Sequence, residues 1–279
     1  MVKPRIAYMP LNTFPEAVAD ESIRAAADFA ASLECTLHVT TFAVDIPQVS
    51  SAFGNVVLDI PGLVRAAEEK SKAECRRVQD LVQGAAGSRL NVDCMDREVV
   101  LGATLDAAAT EARYFDLAVL PWSGENVESQ DMAQAVVFGS GRPAILVPPS
   151  AHLATFDHIA IAWDASRVAA RALGDALPLL GEGARVSVLT VQDEKPLGES
   201  DLAGALASSL ENRGFRAAPL EITLNKRTIA EALQDTALSE GAQVLVMGGF
   251  GHSRVRDFIL GGATKGVLTQ LRLPTLLSH

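Results

Sequence analysis

The chain has 279 residues, 48% of them hydrophobic and 21% charged, which is ample for two compact domains of about 140 residues and too apolar for a disordered chain. Its formal net charge is −10, with 12 basic and 20 acidic residues in positions 1–150 against 12 and 14 in 151–279. With 5% aromatics and no basic stripe, that balance argues against nucleic acid or an anionic membrane as partner. No uncharged apolar run reaches the roughly 18 residues of a membrane-spanning helix, and Pro4, Pro10 and Pro15 interrupt any signal-peptide stretch. The three cysteines, Cys35, Cys75 and Cys94, form no CxxC pair, so neither a disulfide framework nor a zinc knuckle is expected, and the chain reads as cytoplasmic.

Taken in order, the elements repeat. Arg5–Leu11 is a short apolar run fit for a buried strand, followed by an Ala-rich amphipathic stretch at Pro15–Leu33. A second strand is expected over Thr36–Val44, then a long connection, Asp45–Pro61, whose apolar residues suit packing or a lid over the sheet. Helical patterns at 62–86 and 102–113 bracket a strand at 91–100, and Leu117–Leu120 and the proline-led 143–148 complete the first set. After a joint at 148–158, the order recurs: strand His158–Asp164, helix Ser166–Leu180, strand Arg185–Val191, helix 199–213, strand 216–224, helix 228–240, strand Val244–Met247 and strand 274–279. Strands one superpose at an offset of 153, which sets Leu11 against Asp164. Alternating strands and helices predict right-handed crossovers and a parallel sheet covered on both faces. The expected architecture is α/β, with two tandem five-stranded parallel-sheet α/β/α domains at 1–150 and 151–279; one continuous doubly wound sheet is the alternative.

In such sheets ligands bind beyond the carboxyl ends of the strands. Three features of the second half gather there: Asp164 closing strand one, Val191 closing strand two, and the run Met247–Gly266 leaving strand four. In that run the glycines stand as Gly248-x2-Gly251-x9-Gly261-Gly262, and Ala263-Thr264-Lys265 reads as a helix entrance. Free N–H groups and the positive dipole end at a helix start suit phosphate, with Thr264 as a hydroxyl donor and Lys265 or Arg254 as a cation. No metal-ligand spacing, Walker A sequence or G-x-S-x-G elbow appears, and Ser123 and Ser140 have no evident base.

These residues resemble the universal stress protein family, whose nucleotide-binding members carry G-x2-G-x9-G-[ST]; the whole chain resembles the tandem form. The resemblance implies an adenine nucleotide alpha hydrolase-like fold with strand order 3-2-1-4-5, ATP with magnesium as ligand, and domain pairing through strand five, satisfied here within one chain. It implies that Asp164 meets the adenosine end, with Val191 and Met247 enclosing the base. Gly248, Gly251 and His252 would border ribose and phosphates, and Gly261, Gly262, Ala263 and Thr264 would cradle the phosphate chain. Gly262 departs from the family's Ser or Thr, which removes one hydroxyl contact. The first half departs further: Pro121 stands for the first glycine, Glu125 and Glu128 bring negative charge, and the segment between Gly124 and Pro143 is shorter. The expected function is stress-response nucleotide binding in the C-terminal domain, with at most slow hydrolysis and no assigned catalytic residue. The alternative is a nucleotide-free interaction protein with both sites vestigial; homodimerisation of the whole chain is left open.

Overall fold

A computed structural model describes residues 5–47, 59–124, 126–151, 156–192, 201–249 and 262–279. The first half comprises β1 (Arg5–Asn12), α1 (Asp20–Ser32), β2 (Cys35–Asp45), α2 (Ile60–Ala86), β3 (Asn91–Val100), α3 (Thr104–Ala112), β4 (Leu117–Pro121), α4 (Val127–Gly139) and β5 (Ala144–Val147). The second comprises β6 (His158–Ala162), α5 (Arg167–Ala176), β7 (Arg185–Val191), α6 (Leu202–Glu211), β8 (Arg216–Ile222), α7 (Ile229–Ser239), β9 (Val244–Gly248), α8 (Gly262–Thr269) and β10 (Thr275–Ser278). Helix starts follow local chemistry. Asp59, Asn126, Ser166 and Asp201 each accept a backbone N–H with the side chain at the N-cap. Thr228 and Glu231 close a reciprocal capping box on α7.

The strands form one ten-stranded sheet, ordered β3-β2-β1-β4-β5-β10-β9-β6-β7-β8. Each half therefore has the expected 3-2-1-4-5 order, and all pairings within a half are parallel. The halves join where β5 meets β10 antiparallel, with Leu146 opposite Thr275 and Ala144 opposite Leu277. The intramolecular pairing through strand five is thus realised. The two architectures weighed from the sequence turn out to be combined: two five-stranded units share a continuous sheet.

The core divides by sheet face as well as by half. One face carries α1, α2, α5 and α6, burying Ile23, Phe29, Val78, Ala172 and Leu206 with inward residues of both halves' strands. The other carries α3, α4, α7 and α8, burying Ala108, Met132, Val136, Leu233 and Val267. Arg171 Nη2 of α5 also donates to the Gly141 carbonyl across the junction, at 3.1 Å. The numerous alanines in these helices let them lie close to the sheet.

Hydrogen bonds show the repeat more directly than side chains do. Asp116 N donates to Ile6 O at 3.0 Å, as Gln243 N does to His158 O at 2.9 Å. In return Asp116 Oδ2 accepts from Ile6 N, and Gln243 Oε1 from His158 N. Trp122 N donates to Val147 O, as Gly249 N does to Ser278 O. Ile6 therefore matches His158, which moves the strand-one offset from 153 to 152. Asn12, one residue beyond Leu11, is the counterpart of Asp164.

Candidate functional site

β6 lies between β7 and β9, and the crossovers from its two sides lie on opposite faces, so a crevice opens at the carboxyl ends of these three strands. The β6–β7 register pairs Ala162 with Leu189; carried forward two residues, it sets Asp164 level with Val191. The β6–β9 register pairs Ile161 with Val246, so Met247 and Gly248 finish at the same end. The structure therefore brings together four of the sequence-predicted site residues. Asp164 is exposed, and its Oδ1 accepts from Ser166 N at 2.9 Å. This local turn passes through Ala165 at φ 58° and delivers Ser166 to cap α5. Val191 and Met247 are buried, so each presents at most an edge to the crevice.

Gly248 has a definite structural requirement. A Cβ there would lie 2.6 Å from the Val168 carbonyl carbon and 2.8 Å from Ala169 N. The end of β9 thus runs directly against the first turn of α5, and only glycine fits. Gly266 of α8 has a similar cause, since a Cβ would sit 2.6 Å from Ala230 Cβ of α7.

α8 begins at Gly262, where a helix start was expected. Ala263 is half-buried and Lys265 exposed. Thr264 is only 5% exposed, so its hydroxyl lies within the packed side of α8, which leaves backbone N–H groups as what the first turn could offer an anion. Gly251, His252, Arg254 and Gly261 lie outside the described residues, as do 48–58 of the long connection after β2.

The first half keeps the frame but changes the chemistry at the strand ends. Asn12 makes the same turn as Asp164, with Phe14 N donating to its Oδ1 at 3.5 Å and its own Nδ2 donating to Phe14 O at 2.5 Å. The polar residue at this position is therefore an amide, where the sequence alignment had placed Leu11. Pro121 and Trp122 stand where the second half has Gly248 and Gly249, and the Trp122 side chain is buried. The shorter segment between Gly124 and Pro143 holds the helix α4, capped by Asn126. The spacing of Met132, Val136 and Val137 carried its signal.

Elsewhere, titratable groups are explained by packing. Burial pushes the Cys35 thiol up to about 11 and also raises Cys75 and Cys94, of which Cys94 is half-buried. Tyr8 is fully buried, stacked on Phe115 at 4.8 Å, and burial with the nearby Glu111 charge raises its hydroxyl. Among the described residues no group of three or more His, Cys, Asp or Glu could hold a metal ion, and no helix is long and apolar enough to cross a membrane.

Residues 155–279 match the universal stress protein family. The chain carries a universal stress protein domain. A universal stress protein from Archaeoglobus fulgidus DSM 4304 is 15% identical, with a TM-score of 0.68 over 97% of this chain and 95% of that one. A functionally unknown protein from Pseudomonas aeruginosa PAO1 is 13% identical, with a TM-score of 0.50 over 98% of this chain and 92% of that one. At these identities the likeness is one of fold, and it extends over both halves of the ten-stranded sheet. No curated protein sequence matches the chain.

Proposed function

We propose that the universal stress protein domain, residues 151–279, binds ATP with its magnesium at the carboxyl ends of β6, β7 and β9. The protein then acts as a nucleotide-responsive binding module of the cytoplasm, with at most slow hydrolysis. The observation that carries this reading is the exposed Asp164 carboxylate held by its turn beside Val191, Met247 and Gly248 in a domain matching the family. Asp164 would meet the adenosine end. Gly248 and the start of α8, Gly262 to Thr264, would face the ribose and phosphates through backbone N–H groups, together with Gly251, His252 and Gly261. Residues 1–150 would be a second such unit with a degenerate site, serving as a scaffold. Pro121 has no N–H to offer, and the buried Trp122 indole stands in place of a glycine.

Calorimetric titration of the full chain with ATP and Mg²⁺ tests this. Saturable binding near one site per chain, lost in Asp164→Ala, is the expected result. A flat titration, or half the stoichiometry surviving that substitution, overturns it. The burial of Thr264 favours a second reading, in which the missing hydroxyls at 262 and 264 leave a nucleotide-free interaction protein. Acid extraction of the purified protein separates the two, because a co-purifying adenine nucleotide contradicts the second.

A further inference from the structure

A cleft of about 100 Å³ opens where α4 of the first half and α8 of the second flank the β5–β10 junction. Ala133 and Val137 of α4, Leu146 of β5, Leu277 of β10 and Leu268 of α8 give it apolar walls. An apolar cavity of roughly 150 Å³ admits benzene whole; this smaller, open cleft takes a short branched chain or the inner part of a single ring. Its polar side chains are Trp122, Gln130, Gln134, Lys265 and Thr269. Trp122 forms part of the wall and is 3% exposed, yet among the described residues its indole N–H has no acceptor. A Cβ on Gly124 would lie 3.8 Å from that nitrogen and 3.4 Å from the Thr269 carbonyl oxygen, which places the N–H at the α8 side of the cleft. Lys265 lines the same cleft, exposed and without an ion pair among the described residues, and no carboxylate lines it. A buried unpaired donor and an exposed ammonium lining one cleft favour an acceptor that carries negative charge.

We propose that this cleft binds a small monocarboxylate with a compact apolar body. The carboxylate pairs with Lys265, the body lies on the leucine and α4 walls, and the Trp122 N–H is the second donor. Because its walls come from both halves, such a ligand ties the halves together. The site uses none of Asp164, Val191, Met247 or Gly248, shares only Lys265 with the cations the sequence offered for phosphate, and so goes beyond the nucleotide reading.

The chain has two tryptophans, so Trp163→Phe leaves Trp122 as the sole emitter. Benzoate is the probe and benzamide its neutral isostere. Expected is a saturable change in Trp122 emission with benzoate, about tenfold weaker with benzamide and about tenfold weaker in Lys265→Gln. Calorimetry on the unaltered tryptophans, with and without Lys265→Gln, gives the same comparison if Trp163→Phe folds poorly. No saturable response at millimolar benzoate, equal affinity for benzamide, or indifference to Lys265→Gln overturns the proposal. Loss of the benzoate response in Asp164→Ala would put the ligand in the nucleotide crevice and also overturn it; retention there supports the cleft.

Discussion

Gly248 belongs to the glycine spacing that suits phosphate, but its geometry makes a stability prediction that needs no ligand. In Gly248→Ala the new Cβ would stand 2.6 Å from the Val168 carbonyl carbon, 2.7 Å from Val168 Cγ2 and 2.8 Å from Ala169 N. Two of the three atoms are backbone in the first turn of α5, which is capped by Ser166 and cannot swing aside like the end of a flexible side chain. Overpacking of this kind costs about 2–3 kcal/mol, at the upper end of the usual range. The smaller conformational freedom of alanine in the unfolded chain offsets about 0.4–1 kcal/mol. The net expectation is destabilisation by about 1–2.5 kcal/mol. Gly174, within α5 itself, is the internal control, because a Cβ there meets nothing within 4 Å. Gly174→Ala should stabilise by about 0.5–1 kcal/mol through helix propensity. Urea unfolding of the two variants beside the parent measures both. If Gly248→Ala were as stable as the parent, the close approach of β9 to α5 would not be the reason for that glycine.

His158 makes stability pH-dependent: burial disfavours its imidazolium, with Arg185 adding to the effect, so its pKa is lowered in the folded chain. Stability should be full above the ordinary histidine pKa of about 6.5 and fall as pH drops below it toward the depressed native value. His158→Gln should flatten that slope in denaturation curves taken at successive pH values, and an unchanged slope would exonerate this residue. Thr228→Ala removes one side of the α7 capping box and should cost about 1 kcal/mol, read as a lower urea midpoint. Among the cysteines, Cys94 is half-buried and should react with a thiol reagent before the buried Cys35 and Cys75. Mass spectrometry of the first modified site checks the order.

Strand positions and connectivity were legible because apolar runs and turn residues are local signals. Arg185–Val191 and Asn91–Val100 fall at their predicted limits. α1 starts at Asp20, later than its amphipathic stretch suggested, because Pro15 and the turn that Asn12 forms with Phe14 occupy the approach. α4 is masked in the sequence by the glycines at both ends of 124–141, although Asn126 is a good cap and Met132, Val136 and Val137 fall on one face. Single-residue register was not legible: strands one of the two halves align almost equally well at 152 and 153, and only the hydrogen bonds of Ile6 and His158 choose between them. Nor could the sequence show that Thr264 faces inward, since a threonine one turn into a helix carries no mark of which side the sheet lies on. The cleft at the junction depends on β5 meeting β10 and on where Trp122 packs, both properties of the assembled sheet.

The pair Asn12 and Asp164 separates what a residue does for the fold from what it could do for a ligand. Each ends the region of its first strand, and each accepts a backbone N–H from two residues ahead with its side-chain oxygen, Phe14 N in one case and Ser166 N in the other. An amide oxygen and a carboxylate oxygen serve that turn alike. Only the carboxylate brings a charge and a second acceptor oxygen to the crevice. Asp164→Asn should therefore leave the unfolding midpoint close to the parent's, because Asn12 shows that the turn tolerates the amide. Asp164→Ala should lose the turn's hydrogen bond, about 1 kcal/mol. ATP binding, in contrast, should weaken in both variants if the proposed contact depends on the carboxylate. Equal affinity in Asp164→Asn and the parent would mean that the charge plays no part, and that Asn12 in the first half is no reason for that half to lack a nucleotide.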